Sequence, residues 1–83
     1  MENSHLTANH VPGENLYRVI RAGFVLRDSS LRQWCIAHGV SPQNAASALR
    51  GGWRGPAASK LIRRIARAAG VTLTTPGQEV ING

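Results

Sequence analysis

The chain has 83 residues, with ten Lys or Arg against four Asp or Glu and a formal net charge of +6. One domain is expected at this length, and its 42% hydrophobic share excludes a wholly disordered chain. No apolar run approaches the ~18 residues of a membrane span, and the lone Cys35 makes neither an internal disulfide nor a zinc site, so no membrane partner and a cytoplasmic setting are expected.

Residues 1–13 read as a disordered polar tail, without the positive start and apolar stretch of a secretory signal, and end at the Pro12-Gly13 breaker. From Asn15 to about Leu26 the apolar positions Leu16, Val19, Ile20, Gly23 and Phe24 recur at helical spacing, with Arg18 and Arg21 turned outward. Gly23 inside this helix costs roughly 1 kcal/mol against Ala and predicts close approach by a neighbouring helix. Asp28-Ser29-Ser30 is a capping cluster for a second helix to His38, with Leu31, Trp34 and Cys35 inward and Gly39 at its end.

Ser41-Pro42 opens a third helix, which runs to about Arg50 and stops at Gly51-Gly52. Its inward residues are Ala45, Ala48 and Leu49, small enough to let it lie close to the second helix. A fourth helix begins at Pro56 and ends at Gly70, with Ala58, Leu61, Ile62, Ile65 and Ala69 inward and Lys60, Arg63, Arg64 and Arg67 outward. Beyond it, Val71-Thr72-Leu73 and Glu79-Val80-Ile81 flank Thr75-Pro76-Gly77, which suits either a hairpin or a loose tail. The expected architecture is therefore all-α, with four to five helices in a domain over residues 14–70. A flexible tail precedes it over 1–13, and a short tail over 71–83 is available for a dimer contact.

The charge is concentrated. All ten cations lie between Arg18 and Arg67, where Asp28 is the only acid, so this span carries a formal +9. Nine of the ten are Arg, whose planar fork suits phosphate and guanine edges. Such a span repels itself when compact, which predicts a polyanionic partner.

Within the same span, His38-Gly39-Val40-Ser41 joins two helices in the pattern of a helix-turn-helix unit. Counted from Leu31 to Arg50, Cys35 is the small residue where the helices cross, Gly39 takes the position that needs positive φ, and Val40 plugs the angle between the helices. Ala45 and Ala48 fall inward, while His38 departs from the pattern, which usually has an aliphatic residue there. An ordinary α-hairpin in a small bundle fits the same turn, and the surrounding charge weighs against it.

Val19-Ile20-Arg21-Ala22-Gly23, then Gly39-Val40-Ser41-Pro42-Gln43-Asn44-Ala45-Ala46-Ser47-Ala48-Leu49, then Trp53 and the helix after it resemble the Ner-like family of small lambda-repressor-like DNA-binding regulators. The resemblance covers roughly residues 17–70. It implies an all-helical fold and transcriptional repression, often from a phage or prophage. The family's tryptophan-proline ending has no counterpart here.

A helix-turn-helix protein lays the second helix of the unit in the major groove, with its N-terminal residues at base edges. Double-stranded DNA is thus the expected partner, read by Gln43, Asn44, Ala46 and Ser47: Gln and Asn bond adenine through two hydrogen bonds, Ser bonds several bases, and Ala meets a thymine methyl. Ser41, with the free N–H groups beside it, and Arg32, Gln33, Arg50, Arg54 and Lys60 are the phosphate candidates. Gly51, Gly52 and Gly55 would let the backbone approach DNA around Trp53, itself expected as a core plug, whereas Arg63, Arg64 and Arg67 are expected on a solvated face.

Other classes fare worse. His5, His10 and His38 are the only imidazoles, and no carboxylate pair or Gly-rich phosphate loop exists, so neither an enzyme nor a cofactor is expected. The fourth helix has the Arg face of a membrane-surface peptide, but its Leu61, Ile62 and Ile65 are needed for the core. RNA binding lacks an aromatic sheet surface. The alternative that stands is a helix-turn-helix module acting through a protein partner. One reading helix covers half a usual operator, so a homodimer is expected.

Overall fold

The structure, a computed structural model, describes residues 6–74. The elements run β1 (Leu6–Asn9), α1 (Glu14–Leu26), α2 (Leu31–Ala37), α3 (Pro42–Arg50), α4 (Pro56–Ala69) and β2 (Val71–Thr74). All four helices lie within a residue of their expected bounds, because each end has a local cause. Ser30 Oγ accepts from Gln33 N at 3.1 Å and Ser41 Oγ from Asn44 N at 3.3 Å, so both hydroxyls satisfy an otherwise free helix donor. Pro42 and Pro56 occupy first-turn positions where no N–H is needed. The left-handed turn at Gly39, φ 69°, reverses the chain between α2 and α3, and Val40 N–H then donates to Cys35 O at 2.8 Å. Asp28 belongs to the end of α1 rather than to the cap of α2: at φ 57° it turns the chain, while the N–H groups of residues 27–29 fold back on the carbonyls of Phe24 and Val25.

The all-α expectation needs correction. The fold is mostly helical but includes a two-stranded parallel sheet, with Leu6 opposite Val71, Thr7 opposite Thr72, Ala8 opposite Leu73 and Asn9 opposite Thr74. The tail expected over residues 1–13 is therefore ordered from Leu6 onward, and the C-terminal tail begins as β2. His10 N–H extends the ladder to Thr74 O at 2.9 Å, and Thr74 Oγ1 donates to Ala8 O at 3.3 Å. Val71–Thr74 finds its hydrogen-bonding partner in β1, at the far end of the chain. Glu79–Ile81, the second arm of the hairpin that is one of the two alternatives for this segment, lies outside the described residues.

The core is aliphatic. Leu16, Ile20 and Phe24 come from α1, Leu31 and Cys35 from α2, and Ala45, Ala48 and Leu49 from α3. Ala58, Leu61, Ile62, Ile65, Ala66 and Ala69 of α4 complete it, with Ala8 and Val71 closing the sheet end. Ile20, Leu49 and Ile65 are fully enclosed, each stabilising the fold by about 1.5–3 kcal/mol. Cys35 is equally buried, and burial pushes its thiol pKa up, so the sulfur is an inert packing atom.

Gly23 marks where α1 meets the end of α4. A Cβ at that position would overlap the Ala69 carbonyl oxygen and stand 3.1 Å from both Ala69 Cβ and Val71 Cγ2. The close approach expected from the sequence is present, and its partners include the first residue of β2. Arg27, one turn further on, donates from Nη1 to Ala69 O at 3.1 Å, placing a cation on the terminal carbonyls of α4. Gly23→Ala gains helix propensity of about 1 kcal/mol yet forces these two elements apart, and overpacking of this kind costs typically 1–3 kcal/mol. Because the overlap is with backbone, the net effect is a lower midpoint in thermal unfolding; a midpoint at or above that of the parent chain refutes the tight contact.

Candidate nucleic-acid interface

α3 presents a ridge. At about 100° per residue, Gln43, Ser47 and Arg50 fall within an arc of about 60° on the side away from Ala45, Ala48 and Leu49. Gln43 and Arg50 are exposed, and Ser47 is half-buried. The loop after α3 folds over Ser47, whose carbonyl accepts from Gly51, Gly52 and Trp53 N–H groups at 3.0, 2.8 and 3.3 Å. Gln43 therefore stands clearest of the surface. Asn44 and Ala46 lie on opposite shoulders of the ridge rather than on its crest.

Each shoulder borders a furrow. On one side Ala46 and Pro42 face Arg21 and Tyr17 of α1 and Arg32 of α2 across a depression of about 280 Å³. On the other, Ser41 and Asn44 face Trp53, Lys60 and Arg64 across one of about 440 Å³. The expected contact residues Arg32 and Ala46 are thus brought together, as are Ser41, Asn44 and Lys60. Gln33 is exposed at the start of α2, where its side-chain oxygen accepts from Ser29 Oγ at 3.4 Å.

Arg50 and Arg54 are less free than the sequence suggests. Arg50 Nε lies 3.3 Å from Glu14 Oε1, and its guanidinium sits 4.2 Å from the centre of the Tyr17 ring. Both partners of this ion pair are about half exposed, so the pair itself adds little stability. Its effect is to lean Arg50 toward α1. Arg54 Nε donates to Gly51 O at 3.1 Å, which ties this exposed side chain to the end of α3.

Trp53 contradicts its expected role as a core plug. It is 37% exposed, because left-handed Gly51 and the turn after it carry the side chain outward beside Asn44 and Lys60. Arg21 and Arg64 are residues that sequence reasoning did not place at a site. Arg64 was expected on a plain solvated face, yet its guanidinium stacks over the Trp34 ring at 5.4 Å. Trp34 in turn is half-buried rather than fully inward, and stacks on His38 with ring centres 4.3 Å apart. The helical spacing of Arg21 and Arg64 was visible, but the furrow each one borders was not. No group of three His, Cys, Asp or Glu side chains suited to a metal ion occurs among the described residues. No described helix is long and apolar enough to cross a membrane.

No protein-family model matches the chain, nor does any curated protein or solved structure.

The Ser41 cap sets where the ridge begins. Ser41→Ala removes an exposed capping bond, and the loss of stability should be about 1 kcal/mol by chemical denaturation. A change below a few tenths would show that Pro42 alone determines the start of α3.

Proposed function

We propose that the chain is a sequence-specific regulator of transcription that binds double-stranded DNA, with α2, the turn at Gly39 and α3 acting as a helix-turn-helix unit. The observation that carries this reading is a polar ridge, uncharged except for Arg50 at its far end, flanked on both shoulders by cations: Arg21 and Arg32 on one, Lys60 and Arg64 on the other. The major groove offers the complementary shape, a channel about 12 Å wide with base edges at its floor and a phosphate strand along each rim. α3 enters the channel, and the two sets of cations meet the two strands.

Roles follow from position. Gln43 at the crest is the first choice for a two-bond contact to adenine, with Asn44, Ala46 and Ser47 reading from the shoulders and the covered crest. Arg32, Lys60 and Ser41 hold phosphate, with Arg21 and Arg64 added to that set and Gln33, Arg50 and Arg54 at its margins. The resemblance to the Ner-like regulators agrees with a phage-type repressor. A single α3 covers one half-site, so the active form on DNA is a homodimer or a pair of chains on repeated sites.

Selection of binding sites from random duplex DNA tests the reading and yields half-site spacing at the same time. On a selected site, Gln43→Ala should cost about 1–3 kcal/mol of binding while leaving affinity for random duplex unchanged. An equal loss on both removes Gln43 from base reading. Arg32→Ala should weaken binding to every sequence and reduce the salt slope by about 0.9; an unchanged slope takes Arg32 off the phosphate rim. Failure to enrich any sequence would overturn the proposed function.

A further inference from the structure

Between α2 and α4 lies a second cleft, of about 570 Å³, separate from the ridge of α3. One wall is the stacked Trp34–His38 pair, and the other carries Lys60, Arg63, Arg64 and Arg67. His38 is held in place by its own helix, with Nδ1 2.9 Å from Trp34 O, and Arg64 is oriented by the indole face. No carboxylate lines the cleft. Lys60, Arg63 and Arg67 are exposed, and their side chains make no hydrogen bond or ion pair among the described residues. A face that merely kept the protein in solution would be expected to intersperse acids at helical spacing, since like charges at that spacing destabilise a helix. Here four cations of one sign converge on an aromatic wall instead.

Resting on the DNA-binding reading above, we propose that this cleft takes the phosphate backbone of DNA beyond the base pairs that face α3. Two observations favour a nucleic acid over an acidic protein surface. Lys60 and Arg64 line both this cleft and the furrow beside Asn44, so the basic surface is continuous from the shoulder of the reading helix onto α4. The row from Lys60 to Arg67 also spans about 10 Å of helix, over which one strand of a duplex presents about three phosphates. The contact carries no base information. It lengthens the footprint and adds affinity on every sequence.

The test uses Arg63→Gln with Arg67→Gln in the full chain, two exposed side chains outside the α3 interface, with thermal unfolding to verify an unchanged fold. Affinity is measured on a hairpin-closed duplex of about one helical turn (~10 base pairs) and on one of about three turns. The parent chain should bind the long duplex more tightly and with a steeper salt slope. The variant should match the parent on the short duplex, lose about tenfold on the long one, and show a slope lower by about two, at ~0.9 per lost phosphate. In a second arm, the parent on a tethered short duplex is offered a second labelled one. Capture that the variant loses assigns the cleft to a separate DNA segment instead of a longer footprint, and overturns the proposal. The proposal is also overturned if the variant equals the parent on the long duplex, if it loses equally on short and long duplexes, or if a polyglutamate peptide is the only ligand whose binding it loses. If the parent chain binds neither duplex, the DNA-binding reading itself falls, and the proposal with it.

Discussion

The contact between Gly23 and the last turn of α4 is the point on which the rest of the architecture rests. Only a residue without a side chain lets α1 lie against the Ala69 carbonyl, and this sets the separation of the two longest helices. With α1 and α4 that close, Ile20 and Ile65 are fully buried, and α3 contributes Ala45, Ala48 and Leu49 to the same core. The same contact seats Val71, the first residue of β2, against α1, and β2 pairs with β1 from there. Arg27 reinforces the junction from outside by holding the Ala69 carbonyl. A core of about sixty residues is near the lower limit for independent folding, and tying the two ends of the domain through the sheet offsets part of that disadvantage.

Charge and polarity are sorted by this packing. α3 spends its small residues on the core and shows Gln43 and Ser47 on the opposite side, so the crest of the ridge carries no charge except Arg50 at its far end. The cations stand beside it on α1, α2 and α4. Holding a polyanion and discriminating among sequences are thereby assigned to different helices in the proposed function. The division has a physical basis: a guanidinium gains from any phosphate it meets, whereas an amide gains only from a base edge of the right pattern.

Aromatic residues are used sparingly and mostly outside the core. Phe24 is the only one fully buried. Tyr17 receives Arg50 and Arg21 on its ring, Trp34 receives Arg64 and His38, and Trp53 stands at the rim of a furrow. With a core built from Ala, Leu and Ile, these rings are free to orient cations, which would reduce the loss of conformational freedom on DNA binding in the proposed function.

The four helices, the Ser30 and Ser41 caps, the Gly39 turn and most of the inward residues, Trp34 excepted, were legible in the sequence because each depends on neighbours within a few positions. Ser30 and Ser41 each cap the helix that starts at the next residue, Gly39 turns on its own backbone freedom, and the spacing of Leu61, Ile62 and Ile65 marks an inward face whatever lies opposite. The close approach at Gly23 could also be anticipated, though not the element that makes it. The tertiary structure alone decided the pairing of Leu6–Asn9 with Val71–Thr74, the outward position of Trp53, the attraction of Arg50 to Glu14 and the stacking of Arg64 on Trp34. Four-residue strands are too short to announce themselves by periodicity, and the two pair across more than sixty positions of chain. The Arg50–Glu14 and Arg64–Trp34 contacts likewise join separate helices. Their geometry depends on how those helices pack, a quantity that no local pattern encodes.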